Sequence, residues 1–177
     1  MSKLQDIGLS FPAIIWFCSY LQSRCQVVKI RNATSAQLPV TCGVPQESIL
    51  GPLLYIIYTN DLPSIPRHSS PQCYVDDTKL IPNFNLQDQA KAITKLNENL
   101  CRIRNWTFRN LLLINPSKTI LIGTRAMVSK VEEFPLNLLG KEITPAAVVK
   151  DLGVILYPCL TYTDQNSVQL HGAARAH

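Results

Sequence analysis

The sequence predicts an α+β protein in which an antiparallel sheet packs on helices, and three observations lead there. Residues 86–103 carry Leu86, Ala90, Ile93, Leu96, Leu100 and Ile103 at steps of four and three, the spacing of one helix face. Residues 25–42 and 72–82 each read as two strand-like runs around a polar connection, the pattern of a hairpin. A composition of 46% hydrophobic and 16% charged residues is that of a folded chain rather than a disordered tail. The 177 residues suffice for one domain with its own core, and are too few for two of ordinary size.

Taken in order, Pro12 suits a first helical turn after Ser10, and Ile14, Ile15, Phe17, Cys18 and Leu21 make a broad apolar side ending near Ser23 and Arg24. "CQVVKIRNATSAQLPVTC" follows as a hairpin whose polar connection runs from 31 to 36. A glycine-proline turn at Gly43 and Pro45 comes next. From Ser48, an N-cap candidate, Ile49, Leu50, Leu53, Leu54, Ile56, Ile57 and Leu62 are apolar on most sides, as in a helix buried within a domain. Gly51 and Pro52 fall in its first turn, where proline costs little. "QCYVDDTKLIP" then forms a hairpin with Asp76 and Asp77 at its tip. Asn85 and Asp88 resemble a capping box for the long helix, which ends around 105–110. "TILIGT", "FPLNLLGKEI" and "VVKDLGVILY" read as three strand-like segments, with no repeat or linker before about Pro158.

The totals restrict function. Seventeen Lys and Arg against twelve Asp and Glu leave a net charge of +5, which permits a polyanion partner without demanding one. The six cysteines lack metal-ligand spacing with one another or with the three histidines, and read as reduced thiols in an intracellular protein, nucleus or cytoplasm undecided. No secretory signal opens the chain, and its apolar runs of about ten residues fall short of the about twenty that a membrane helix needs.

Asp76 and Asp77 would point to opposite faces of a regular strand, so they serve one site only if a turn re-aims them. A tip of that kind suits a divalent cation. Mg2+ takes oxygen ligands, keeps several waters and is shared with substrate phosphates, which links the pair to phosphoryl or nucleotidyl transfer. A solvated turn is the alternative, since Asp is common in turns. Lys118 follows an Asn-Pro turn and opens a strand, where its ammonium would reach a phosphate or act as an acid near one, or else stand as an ordinary surface lysine.

"GVPQESILGPLLYIIYTNDLP", "CYVDDTKL", "WTFRNLLLINPSKT" and "VKDLGVILYPCLTY", in that order and spacing, resemble the palm of reverse transcriptases from non-LTR (LINE-type) retrotransposons. That family shows a G-V-P-Q-G-S-x-L-G-P turn and helix, an aromatic-x-D-D hairpin, an N-x-x-K-T segment and an L-G-V strand. "IIWFCSYLQSRCQVVKI" resembles the helix and strand that precede the turn, so the likeness covers nearly all of 3–165. It implies RNA-directed DNA polymerase chemistry with RNA template, DNA primer and dNTPs as partners, two Mg2+ ions and no membrane. Carried over residue by residue, Asp76 is the principal metal ligand of the hairpin and Asp77 its neighbour. Tyr74 and Val75 complete the tip beside the primer end, Pro45 and Gln46 lie against template and nucleotide, and Lys118 near the triphosphate.

The resemblance divides the chain into a partial palm over 1–157 and the start of a thumb, or a disordered tail, over 158–177. The family's other metal-binding aspartate would align before Met1, and Asp6 is not its equivalent. The expectation is therefore a fragment with the fingers and the first catalytic strand missing, inactive by itself, whose unpaired sheet edge promotes self-association. A non-catalytic remnant, or a weak RNA-binding or protein-interaction module reusing the palm, stands as the alternative. Glu47 occupies a position where the family has glycine, which lets backbone approach the nucleotide or template.

Overall fold

The computed structural model describes residues 1–45, 47–82, 84, 88–123 and 134–157. They fall into two compact units: Met1–Asp61 with Cys73–Thr78, and the described part of Leu62–Gln72 with Lys79–His177. Helices and short two-stranded sheets alternate along the chain, an α+β composition.

In the first unit, helix α1 (Ser2–Asp6) precedes α2 (Phe11–Leu21), which has Ser10 as its N-cap and a proline in its first turn, as the sequence predicts. The next segment is one antiparallel ribbon in two pieces. β1 (Cys25–Gln26) pairs with β4 (Leu38–Pro39), and β2 (Lys29–Ile30) with β3 (Ala33–Thr34). Its turn is tighter than expected: Arg31 adopts a left-handed φ of 54°, and the chain reverses before Ala33.

Helix α3 (Leu50–Thr59) starts at the predicted place, but only Gly51 and Leu54 are buried. Leu53 and Ile56 remain about half exposed. The expectation of a helix buried on most sides is thus not met within its unit, because α1 covers a single face. There Lys3 Nζ pairs with Asp61 at 2.7 Å and lies 5.0 Å from the centre of the Tyr58 ring.

The second unit is built on α4 (Gln89–Arg109), the longest helix among the described residues. Ala92, Leu96 and Leu100, one turn apart, pack with Phe134, Leu136, Leu138 and Ile143 into its core. Ala90, expected on the apolar face, is exposed; Ala92 takes that role. Asn85 of the expected capping box lies outside the described residues, and Asp88 makes no capping bond from its side chain.

Of the three late strand segments, "TILIGT" contributes only a single bridge, from Leu121 to Pro145, within its described part. The other two each fold back on themselves. β7 (Leu136–Leu138) pairs with β8 (Lys141–Ile143), and β9 (Val149–Asp151) with β10 (Val154–Leu156), all antiparallel. Their two-residue turns, Leu139–Gly140 and Leu152–Gly153, have positive φ at both positions, as hairpin twist favours. Among the described residues the expected antiparallel sheet takes the form of separate two-stranded ladders.

Candidate active site

Strands β5 (Ser69–Tyr74) and β6 (Asp77–Pro82) form the predicted acidic hairpin, and both contribute residues to each unit. Its turn consists of Val75 and Asp76, while Asp77 opens β6. Val75 has φ 51°, a left-handed conformation in which a β-branched residue is an outlier. That strain, about 1–2 kcal/mol, is the local device that takes Asp76 out of the strand alternation. Tyr74, Val75, Asp76 and Asp77 are all exposed, and neither carboxylate is ion-paired among the described residues.

Within the first unit, α3 supplies Tyr55 to the neighbourhood of the tip. Burial raises its phenol above the usual value, and the charge of Asp76 and then Cys73 add to the rise. Thr78 Oγ1 approaches Cys73 Sγ at 3.8 Å across the hairpin. Tyr55 is not among the residues that sequence reasoning singles out, because a tyrosine in an apolar helix reads as core.

The turn that leads into α3 is held by polar contacts to backbone. Ser48 Oγ donates to the Pro45 carbonyl at 2.6 Å and accepts from the Gly51 N–H at 3.0 Å; the N-cap position itself falls to Ile49, one residue after the expected Ser48, yet the Ser48 hydroxyl still serves the first turn of α3. A Cβ at Gly51 would meet the Pro45 carbonyl and Ser48 Oγ at 2.9 Å, so only glycine fits there without a shift. Arg24 closes the other side: its guanidinium donates to the carbonyls of Leu21 (3.1 Å) and Gly43 (2.5 Å), tying the turn to the end of α2. This staple, joining residues 19 apart, has no short-range sequence signature. Gln46 lies outside the described residues.

Lys118 belongs to the second unit and is exposed. Asn115 organises its loop, accepting at its side-chain oxygen from Ser117 N–H (2.9 Å) and at its carbonyl from Lys118 N–H (3.1 Å). Among the described residues no strand follows, contrary to expectation; Lys118 to Ile120 are irregular and Leu121 makes only an isolated bridge.

The donor set agrees in kind with a hard cation, since exposed carboxylates without ion pairs offer oxygen ligands. It is small, however: no group of three His, Cys, Asp or Glu gathers among the described residues.

The chain is similar to a probable RNA-directed DNA polymerase from transposon BS of Drosophila melanogaster, with 34% identity over 171 residues, covering 92% of this chain. It is a relative of the non-LTR retrotransposon reverse transcriptases. A probable RNA-directed DNA polymerase from transposon X-element is 32% identical over 105 residues, and the RNA-directed DNA polymerase from mobile element jockey 27% over 154, both from the same organism. These cover 57% and 82% of the chain. The chain spans only 18%, 11% and 16% of the lengths of the three reverse transcriptases. No family model and no solved structure matches it.

At Glu47, where the family resemblance leads to the expectation of glycine, the backbone has φ 57°. Glycine would suit the position for a local reason, because only glycine takes this conformation without steric penalty. The glutamate side chain is exposed.

Proposed function

We propose that the chain is a partial palm of a retrotransposon reverse transcriptase, serving RNA-directed DNA synthesis by nucleotidyl transfer. The observation that carries this reading is the exposed Asp76–Asp77 pair at a strained two-residue turn, with Tyr55 of α3 beside it. The likeness to RNA-directed DNA polymerases over 92% of the chain supports it independently.

Asp76 would be the principal ligand for Mg2+ and Asp77 its neighbour. A metal held there would supply activation of a primer hydroxyl and charge neutralisation at a leaving pyrophosphate. Tyr74 and Val75 present an apolar platform at the primer end, Pro45 and Gln46 border template and nucleotide, and Lys118 offers a cation to the triphosphate. Two carboxylates are few against two divalent ions, so the 177-residue chain is proposed to be inactive until a further acid joins Asp76. RNA template, DNA primer and dNTPs are the proposed partners, and the proposed self-association uses exposed ladder edges together with exposed apolar residues of α2.

Primer extension with Mg2+ or Mn2+ tests this. The chain alone yields no product, whereas a longer chain that brings another aspartate to the tip extends the primer and loses that activity on Asp76→Asn. Product that survives the substitution overturns the site assignment. Extension by the 177-residue chain itself overturns the need for a further acid.

A further inference from the structure

We propose that a basic groove at the start of β5 binds the phosphodiester backbone of a nucleic-acid strand. The groove, of about 350 Å3, lies in the second unit and is lined by Arg67, His68, Ser69, Ser70 and Lys95.

Its chemistry is one-sided. Arg67 and Lys95 are exposed and make no ion pair among the described residues. The nearby carboxylate does not neutralise them: Glu98 is engaged by Arg102 (3.2 Å) and by His68 Nε2 (3.1 Å). The Arg102 hydrogen bonds hold the Glu98 carboxyl below its ordinary value, with His68 contributing less. Ser69 Oγ accepts from Asn99 Nδ2 at 2.8 Å, which leaves its hydroxyl proton free to donate, and the Ser70 hydroxyl is exposed beside it. Two cations and two hydroxyl donors suit oxygens carrying negative charge.

The groove is also built. Asn99, fully buried on α4, accepts from the backbone N–H groups of Arg67 (2.9 Å) and His68 (3.3 Å), so the segment that carries Arg67 is pinned to the helix that carries Lys95. The net charge of +5 favours a polyanion over an isolated small anion as the ligand of these two cations. The inference rests on the polymerase reading for the ligand class, and it adds a contact that the acidic hairpin does not supply.

Fluorescence anisotropy of labelled single-stranded RNA and DNA oligonucleotides with the full chain, over a range of salt, provides the test. Arg67→Gln combined with Lys95→Gln weakens binding several-fold regardless of base sequence, and the slope of log K against log salt becomes shallower by about 1.4, two contacts' worth on a single strand. Arg109→Gln combined with Lys150→Gln removes the same charge from exposed positions outside the groove and leaves affinity nearly unchanged. Equal weakening by both pairs, or equal binding of polyglutamate, overturns the proposal. Circular dichroism confirms that each variant is folded. Binding is read without primer extension or added metal, so a failed polymerase assay and a failed groove are separate outcomes; RNA and DNA arms report whether the sugar matters.

Discussion

At Glu47 the structure adds a local consideration to the one the sequence offers: beside the question of a side chain near a nucleotide, the backbone there is left-handed at φ 57°. Left-handed residues cost about 1–2 kcal/mol relative to glycine, and the freer unfolded chain of glycine returns about half of that. Glu47→Gly is therefore expected to stabilise the fold by about 0.5–1 kcal/mol, read as a higher urea midpoint at unchanged slope. No shift in midpoint refutes the strain account. Tyr55 and Asp76 provide a second test at this scale. Burial, the Asp76 charge and Cys73 all raise the phenol, so it stays protonated above its ordinary 10.0. With its folded value raised above the unfolded one, Tyr55 contributes stability that is present below the unfolded value and lost as pH rises through the folded one. Asp76→Asn removes one of these causes. Ultraviolet titration of the metal-free chain should then show a tyrosine whose midpoint falls part of the way back, with the burial contribution remaining.

At the scale of elements, α4 and the segments it holds were the most legible part of the chain. The apolar spacing predicts the helix, and Leu96 and Leu100 are buried as that spacing requires. Asn99 was not legible. An asparagine on a helix reads as solvent-facing, but here both its amide ends find partners at the start of β5 and in the two residues before it, and it is wholly buried. Asn99→Leu strands the Arg67 and His68 N–H groups without their acceptor and should cost about 1–3 kcal/mol, measured by denaturation, with faster amide exchange confined to the start of β5. Exchange that is unchanged there refutes the pinning role. The late hairpins escaped sequence reading for a different reason. Their turns begin with Leu139 and Leu152, residues with no turn signature, which are nonetheless forced to φ 55° and 46° by the strands on either side. Segments that looked like single strands were pairs. Arg24 and Gly51 belong with these: both act on backbone carbonyls brought near only by the fold.

At the largest scale, the described residues expose many large apolar side chains. On α2, Phe11 is 70% exposed and Trp16 54%, with Tyr20 stacked on the Trp16 ring at 5.6 Å between centroids. The described residues contain no helix long and apolar enough to cross a membrane. Sedimentation velocity at rising concentration should show self-association, and Phe11→Ser combined with Trp16→Ser should reduce it; a monomer at all concentrations refutes this. The sequence by itself determined the acidic hairpin, the long helix and the capped turn before α3, since each depends on local propensity and short-range spacing. It also determined the kinship with reverse transcriptases, through four motifs in order. Tertiary structure alone decided that Asn99 is a buried tether, that Glu47 is strained and that Tyr55 adjoins Asp76. These depend on contacts between residues distant along the chain or on backbone angles imposed from outside the segment, and neither is encoded in the spacing of neighbours.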